Sequence, residues 1–112
     1  MNNLGTHGEE LAARYLQKLG FVLLERNWRC AYGEIDIIAK DGDVLVFVEV
    51  KTRRSNRFGT PTEAVHDRKQ QKLRLVARHY LYEKKITAFA YRFDVAAVDG
   101  KTGTVTLIKN AF

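Results

Sequence analysis

Three residues whose side chains could do chemistry interrupt the most apolar parts of this sequence. The run from Val44 to Lys51 reads Val-Leu-Val-Phe-Val-Glu-Val-Lys, and such near-continuous hydrophobicity implies a central strand covered on both faces. Alternation sets Val44, Val46, Val48 and Val50 on one face and Leu45, Phe47, Glu49 and Lys51 on the other. A carboxylate and an amine thus emerge side by side at the end of a buried strand. Asp36 lies in a similar run, Glu34 to Lys40, joined to the first through Asp41-Gly42, a strong two-residue hairpin signal. Pairing Lys40 with Asp43 across that turn puts Asp36 opposite Phe47 and Glu34 opposite Glu49. Asp36 and Glu49 are then diagonal neighbours, roughly 7–8 Å apart at Cα. A one-residue slip would send Asp36 to the valine face, so the expectation depends on this register.

Anions gathered in a low-dielectric site are costly unless they are paired, protonated or bound to metal. A cation can bridge two carboxylates, and oxygen-only donors favour a hard ion, Mg²⁺ or Mn²⁺. Lys51 would then position or activate water, or stabilise charge on a phosphoryl transition state. The plainer alternative is a structural Glu49–Lys51 ion pair.

The elements that must position these groups follow from pattern. Thr6-His7-Gly8-Glu9 fits a capping box opening a helix that runs to about Leu19 and stops at Gly20. Glu9 has a complete explanation as the fourth residue of that box, yet helical phase also turns it inward, close to Leu16. Glu10 shares the outer face with Arg14 and Gln17, so Glu9 is the helix glutamate able to reach a site in the core. A β-rich stretch from Phe21 to Arg29 follows. Beyond the hairpin, Thr60-Pro61-Thr62-Glu63 starts a second helix reaching about Lys85, with a break near His66-Asp67. Its buried stripe, Leu73, Val76, Ala77 and Tyr80, extends backwards through Lys69 and Gln70. That pair near a helix start suits phosphate contact, or else is a frayed turn reaching solvent. Two more strands, about Ala88 to Val98 and Val105 to Lys109, complete an αβββαββ order, one mixed sheet with helices against it.

The 112 residues are 46% apolar and 29% charged, which suits one folded domain and excludes a disordered tail or a fibre. No apolar run approaches the roughly 20 residues of a membrane helix, the start MNNLGTHGEE lacks the features of a signal peptide, and Cys30 is alone. A cytoplasmic location without a membrane partner is the expectation. The net charge of +6 is uneven: between Lys51 and Arg78 nine basic residues face two acidic ones. A basic stripe on a near-neutral body is the footprint of a polyanion binder, although a solvated helix face gives the same pattern.

Glu9, then Gly33-Glu34-Ile35-Asp36-Ile37-Ile38-Ala39, then Val48-Glu49-Val50-Lys51, then Lys69-Gln70 on a following helix together resemble the PD-(D/E)xK nuclease superfamily. Within it the chain is similar to a small bacterial family of inferred endonucleases, alike in layout to archaeal Holliday junction resolvases. Glutamate follows aspartate by thirteen positions, a spacing typical of the superfamily; Ile35 stands where its name-giving proline would be. The resemblance implies an α/β, restriction-endonuclease-like αβββαβ core with a central mixed sheet flanked by helices, and divalent-metal hydrolysis of DNA phosphodiesters. It implies Asp36 and Glu49 as metal ligands, the Val50 carbonyl as a third donor, Glu9 as the helix-borne acid and Lys51 as the catalytic lysine. Lys69 and Gln70 would contact phosphate, Arg53, Arg54 and Arg57 would track the nucleic-acid backbone, and Glu34 would support the ligands from behind. DNA, branched or structured, is favoured over RNA as partner. A homodimer through an open edge at strand 104–108 is a further expectation. The alternative reading is a nucleic-acid-binding accessory protein that keeps the fold without cleaving.

Overall fold

A computed structural model describes residues 4–54, 66–87 and 90–112, with the side chains of residues 4–6 left aside. The element order is α1 (Leu4–Lys18), β1 (Val22–Cys30), β2 (Gly33–Asp41), β3 (Val44–Arg53), α2 (Asp67–Glu83), β4 (Tyr91–Asp99) and β5 (Val105–Ile108). The five strands form one sheet in the order β1-β2-β3-β4-β5. Only β3 and β4 run parallel, as the α2 crossover between them requires; the other neighbours are antiparallel. This is the expected mixed α/β, restriction-endonuclease-like core. Among the described residues no helix is long and apolar enough to cross a membrane.

The sheet carries a core on each face. Under α2 lie Ile35, Ile38, Leu45, Phe47, Phe93 and Val95 with Leu73, Val76, Ala77 and Tyr80 of the helix. Under α1 lie Ile37, Ala39, Val46, Val48, Ala96 and Val98 with Ala12, Ala13 and Leu16. With both faces covered, β3 is buried from Leu45 to Glu49, as its unbroken apolar run demands.

Two local expectations are corrected. Helix α1 begins at Leu4, before Thr6, so Thr6 does not cap it and Glu9 is not the closing residue of a capping box. Gly20, at φ 94°, does end that turn of chain. The β2–β3 hairpin pairs Asp41 with Val44, leaving Gly42-Asp43 as its two-residue loop in place of Asp41-Gly42. Gly42 takes φ 62° at the first loop position, where a type II′ turn wants glycine. The ladder is therefore offset by two residues from the expected one. An even offset keeps each side chain on its face, but it brings Asp36 level with Glu49 when the Ile37–Val48 pair is extended by one step.

Candidate active site

Asp36 is aimed by a break in the alternation of β2. Ile35 and Ile38 both pack under α2, whereas Ile37 and Ala39 pack under α1. The phase of the strand therefore flips at Asp36. Its neighbour strand flips at the same level: Arg26 reaches Glu10 of α1, Trp28 packs under α2, and Asn27 between them sits at φ 52°. Asparagine tolerates that left-handed conformation better than most residues. Asp36 thus does not lie simply on the Glu49 face, as alternation predicts. Its carboxylate turns towards β3 and accepts a hydrogen bond from the Val50 N–H at 2.8 Å.

Around this group the other candidates converge. Glu49, 6% exposed, stands level with Asp36 on the neighbouring strand, and its charge bears on that carboxyl. Its Oε2 also lies 3.5 Å from Lys51 Nζ and 3.4 Å from Lys69 Nζ. Burial above all, then the Glu49 charge and more weakly that of Glu9, push the Asp36 carboxyl up to about 7, against the opposing Val50 N–H. The Glu9 charge thus bears on Asp36 from α1. Gly8, read in the sequence only as part of a capping box, lets α1 approach β3: a Cβ at this position would collide with Thr52 Oγ1. The available signal was a glycine inside a helical run, which costs roughly 1 kcal/mol relative to alanine and asks for a packing reason.

The remaining candidates divide. Gln70 lies beside Lys69 in the first turn of α2, which starts at Asp67 with His66 at its N-cap. Arg53 and Arg54, at the end of β3, line a cleft of about 780 Å³ that begins at Lys51. Glu34 is placed differently from expectation: it pairs with Arg29 at 2.8 Å on an exposed rim, and the register no longer sets it opposite Glu49. Arg57, with the expected helix start at Thr60-Pro61, lies outside the described residues. Asp94 on β4 is fully buried and held by Arg92 and the Asn110 N–H, a structural group apart from the site.

The donor set is all oxygen. Among the described residues no three His, Cys, Asp or Glu side chains close into a cage of their own. Two carboxyls level on adjacent strands, with Glu9 on α1, instead suit Mg²⁺, which keeps several waters and uses one or two carboxylates. In an extended strand a residue's N–H and C=O point the same way, so the Val50 carbonyl faces the same gap as the N–H that meets Asp36.

Residues 8–98 match the model of a family described as uncharacterised protein family UPF0102. The chain belongs to family UPF0102. A UPF0102 protein of Caldicellulosiruptor saccharolyticus is 49% identical, over 97% of this chain and 96% of its own. One of Alkaliphilus metalliredigens is 50% identical over 98% and 97%, and one of Rhodococcus opacus is 49% identical over 97% and 95%. UPF0102 falls within the PD-(D/E)xK-like nucleases, and the acid–hairpin–ExK order of this member accords with that placing.

Proposed function

We propose that this UPF0102 protein is a metal-dependent endonuclease acting on DNA. The observation that carries the reading is the juxtaposition of Asp36 and Glu49: a half-buried and a buried carboxyl stand level on adjacent strands, one on the Val50 N–H and the other flanked by Lys51 and Lys69. A core that merely needed filling would gain nothing from that arrangement, because like charges in a low dielectric oppose each other.

Asp36, Glu49 and the Val50 carbonyl are the groups to hold Mg²⁺ or Mn²⁺, with Glu9 reached directly or through water. The ion supplies Lewis-acid polarisation of the scissile phosphate and a bound water of lowered pKa. Lys51 offers three ammonium protons beside Glu49 to orient that water and to offset charge on the phosphoryl oxygens. Lys69, on the other flank of the same carboxylate, and Gln70 meet the phosphate at the start of α2, where helix amides favour anions. Arg53 and Arg54 meet the backbone next to it. Contacts of this type read phosphate and shape, not base sequence.

One feature favours a second reading, binding without cleavage: two ammonium groups already neutralise Glu49. Incubation with Mg²⁺ or Mn²⁺ and labelled linear, flapped and four-way DNA separates the two. The nuclease gives metal-dependent nicking that Asp36→Asn and Lys51→Ala abolish while binding survives. Binding with no cleavage under either metal would establish the accessory role, and nicking that persists in both variants would overturn this site.

A further inference from the structure

Glu49 stands between two clefts. One, of about 220 Å³, lies between the start of β2 and α2 and is lined by Gly33, Glu34, Lys69 and Lys72, the Glu34 carboxylate being paired with Arg29. The other, of about 780 Å³, takes in Lys51 and the ends of β4 and β5. Lys69 of the first and Lys51 of the second both reach Glu49 Oε2. Resting on the nuclease reading, we infer that the DNA strand leaves the site across β4 and β5, with Lys101, Thr104 and Thr106 as further backbone contacts.

The larger cleft has the chemistry for that path. In β5, Val105 and Leu107 pack under α1, so alternation turns Thr104 and Thr106 to the opposite face, and both line the cleft. Their hydroxyls are donors of the kind that meet phosphate and sugar oxygens; Thr104 Oγ1 accepts a hydrogen bond from Thr102 Oγ1 at 2.9 Å and keeps its own proton to give. Ala97 makes a small-residue floor between them and Lys51, while Lys51, Arg53, Arg54 and Lys101 put cations around it. Asp99 is the one acid in that lining, and its carboxylate accepts hydrogen bonds from the Lys101 and Thr102 N–H groups at 2.8 and 3.2 Å. Its charge serves the turn and leaves the cleft positive. A polyanion therefore has cations to follow from Lys72 and Lys69, past the carboxylate pair, to Lys51 and Lys101.

The test is DNA binding by the full chain in EDTA, measured by anisotropy with a duplex and a single-stranded oligonucleotide over a salt series. Lys101→Ala should weaken binding several-fold and flatten the log–log salt slope by about one unit. Thr104→Val with Thr106→Val should weaken it with the slope unchanged, since no charge is lost. Lys40→Ala, at an exposed position outside both clefts, is the control and should leave both quantities alone. Wild-type DNA binding and cleavage accompanied by unaltered affinity and slope in Lys101→Ala and in the threonine pair would overturn the track while sparing the nuclease reading. Failure of the wild-type protein to bind or cleave DNA would instead overturn both.

Discussion

The Asp36 carboxylate takes the place of a main-chain acceptor for the Val50 N–H, at 2.8 Å, where the β2–β3 ladder ends. That bond favours the ionised form, yet burial and the adjacent Glu49 outweigh it. Asp36 therefore keeps its proton to a higher pH than an ordinary aspartate, and stability must respond to pH accordingly.

Asp36 has a folded-state pKa of about 7 against an ordinary value of 3.8. Between those values the folded state binds more protons than the unfolded one, so this group's contribution to stability falls as pH rises through the window. It is fully unfavourable above about pH 7. Asp36→Asn cannot ionise, so its melting temperature relative to wild type should climb from pH 4 to pH 8. Thermal melts across that range check it, and a constant difference would contradict the assignment.

Metal should act in the opposite sense. Ionised carboxylates bind a hard cation and protonated ones do not, so Mg²⁺ or Mn²⁺ should stabilise the protein more at pH 8 than at pH 5.5. At a hundredfold excess over Kd the gain is about 2.7 kcal/mol. Differential scanning calorimetry with Glu49→Gln, which loses an anionic donor, should show little or none of it.

Much of this arrangement was legible before any coordinates. The long apolar runs, the Gly20 stop and the Glu49/Lys51 interruption carried the element order and the two acids, because burial of β3 leaves few ways to read it. The hairpin offset was not legible: Asp41-Gly42-Asp43 offers glycine to either loop position, and only the choice between type I′ and II′ decides it. The turn of Asp36 into the β2–β3 gap depends on Asn27 in the next strand, a tertiary match invisible to alternation within β2. Glu34 was set opposite Glu49 for the same reason of register, and Lys101 and Thr104 carried no sign of a site until β5 set them on the cleft that Lys51 lines.

Gly8 predicts a steric cycle. Gly8→Ala should improve helix propensity by roughly 1 kcal/mol but drive a methyl into Thr52 Oγ1, and overpacking typically costs 1–3 kcal/mol. The net result should be destabilisation with weakened metal response, since Glu9 is displaced along with the helix. Thr52→Ala removes the colliding oxygen and should rescue part of it. Denaturant melts of the four proteins give the coupling energy, and additive effects would show that α1 and β3 do not meet as described.

A buried ion pair holds β4 beneath the site. Asp94 is 0% exposed, accepts Arg92 Nε at 2.9 and 3.1 Å and the Asn110 N–H at 2.9 Å, and pairs in register with Val48, the residue before Glu49. Arg92 also bonds Asp41 at 2.9 Å, tying the hairpin end of β2 to β4. Arg92→Met strands a buried carboxylate with one remaining donor, a change that costs about 3–5 kcal/mol. Replacing both partners, as Arg92→Met with Asp94→Leu, removes the stranded charge and should recover most of that loss, although the Asn110 N–H then lacks its acceptor. The double variant should keep the metal-dependent thermal shift, because Asp36, Glu49 and Val50 are untouched. A single variant as stable as wild type would mean that Asp94 is solvated in solution and that the β4 end of the sheet opens, which would also unseat the floor of the cleft at Ala97.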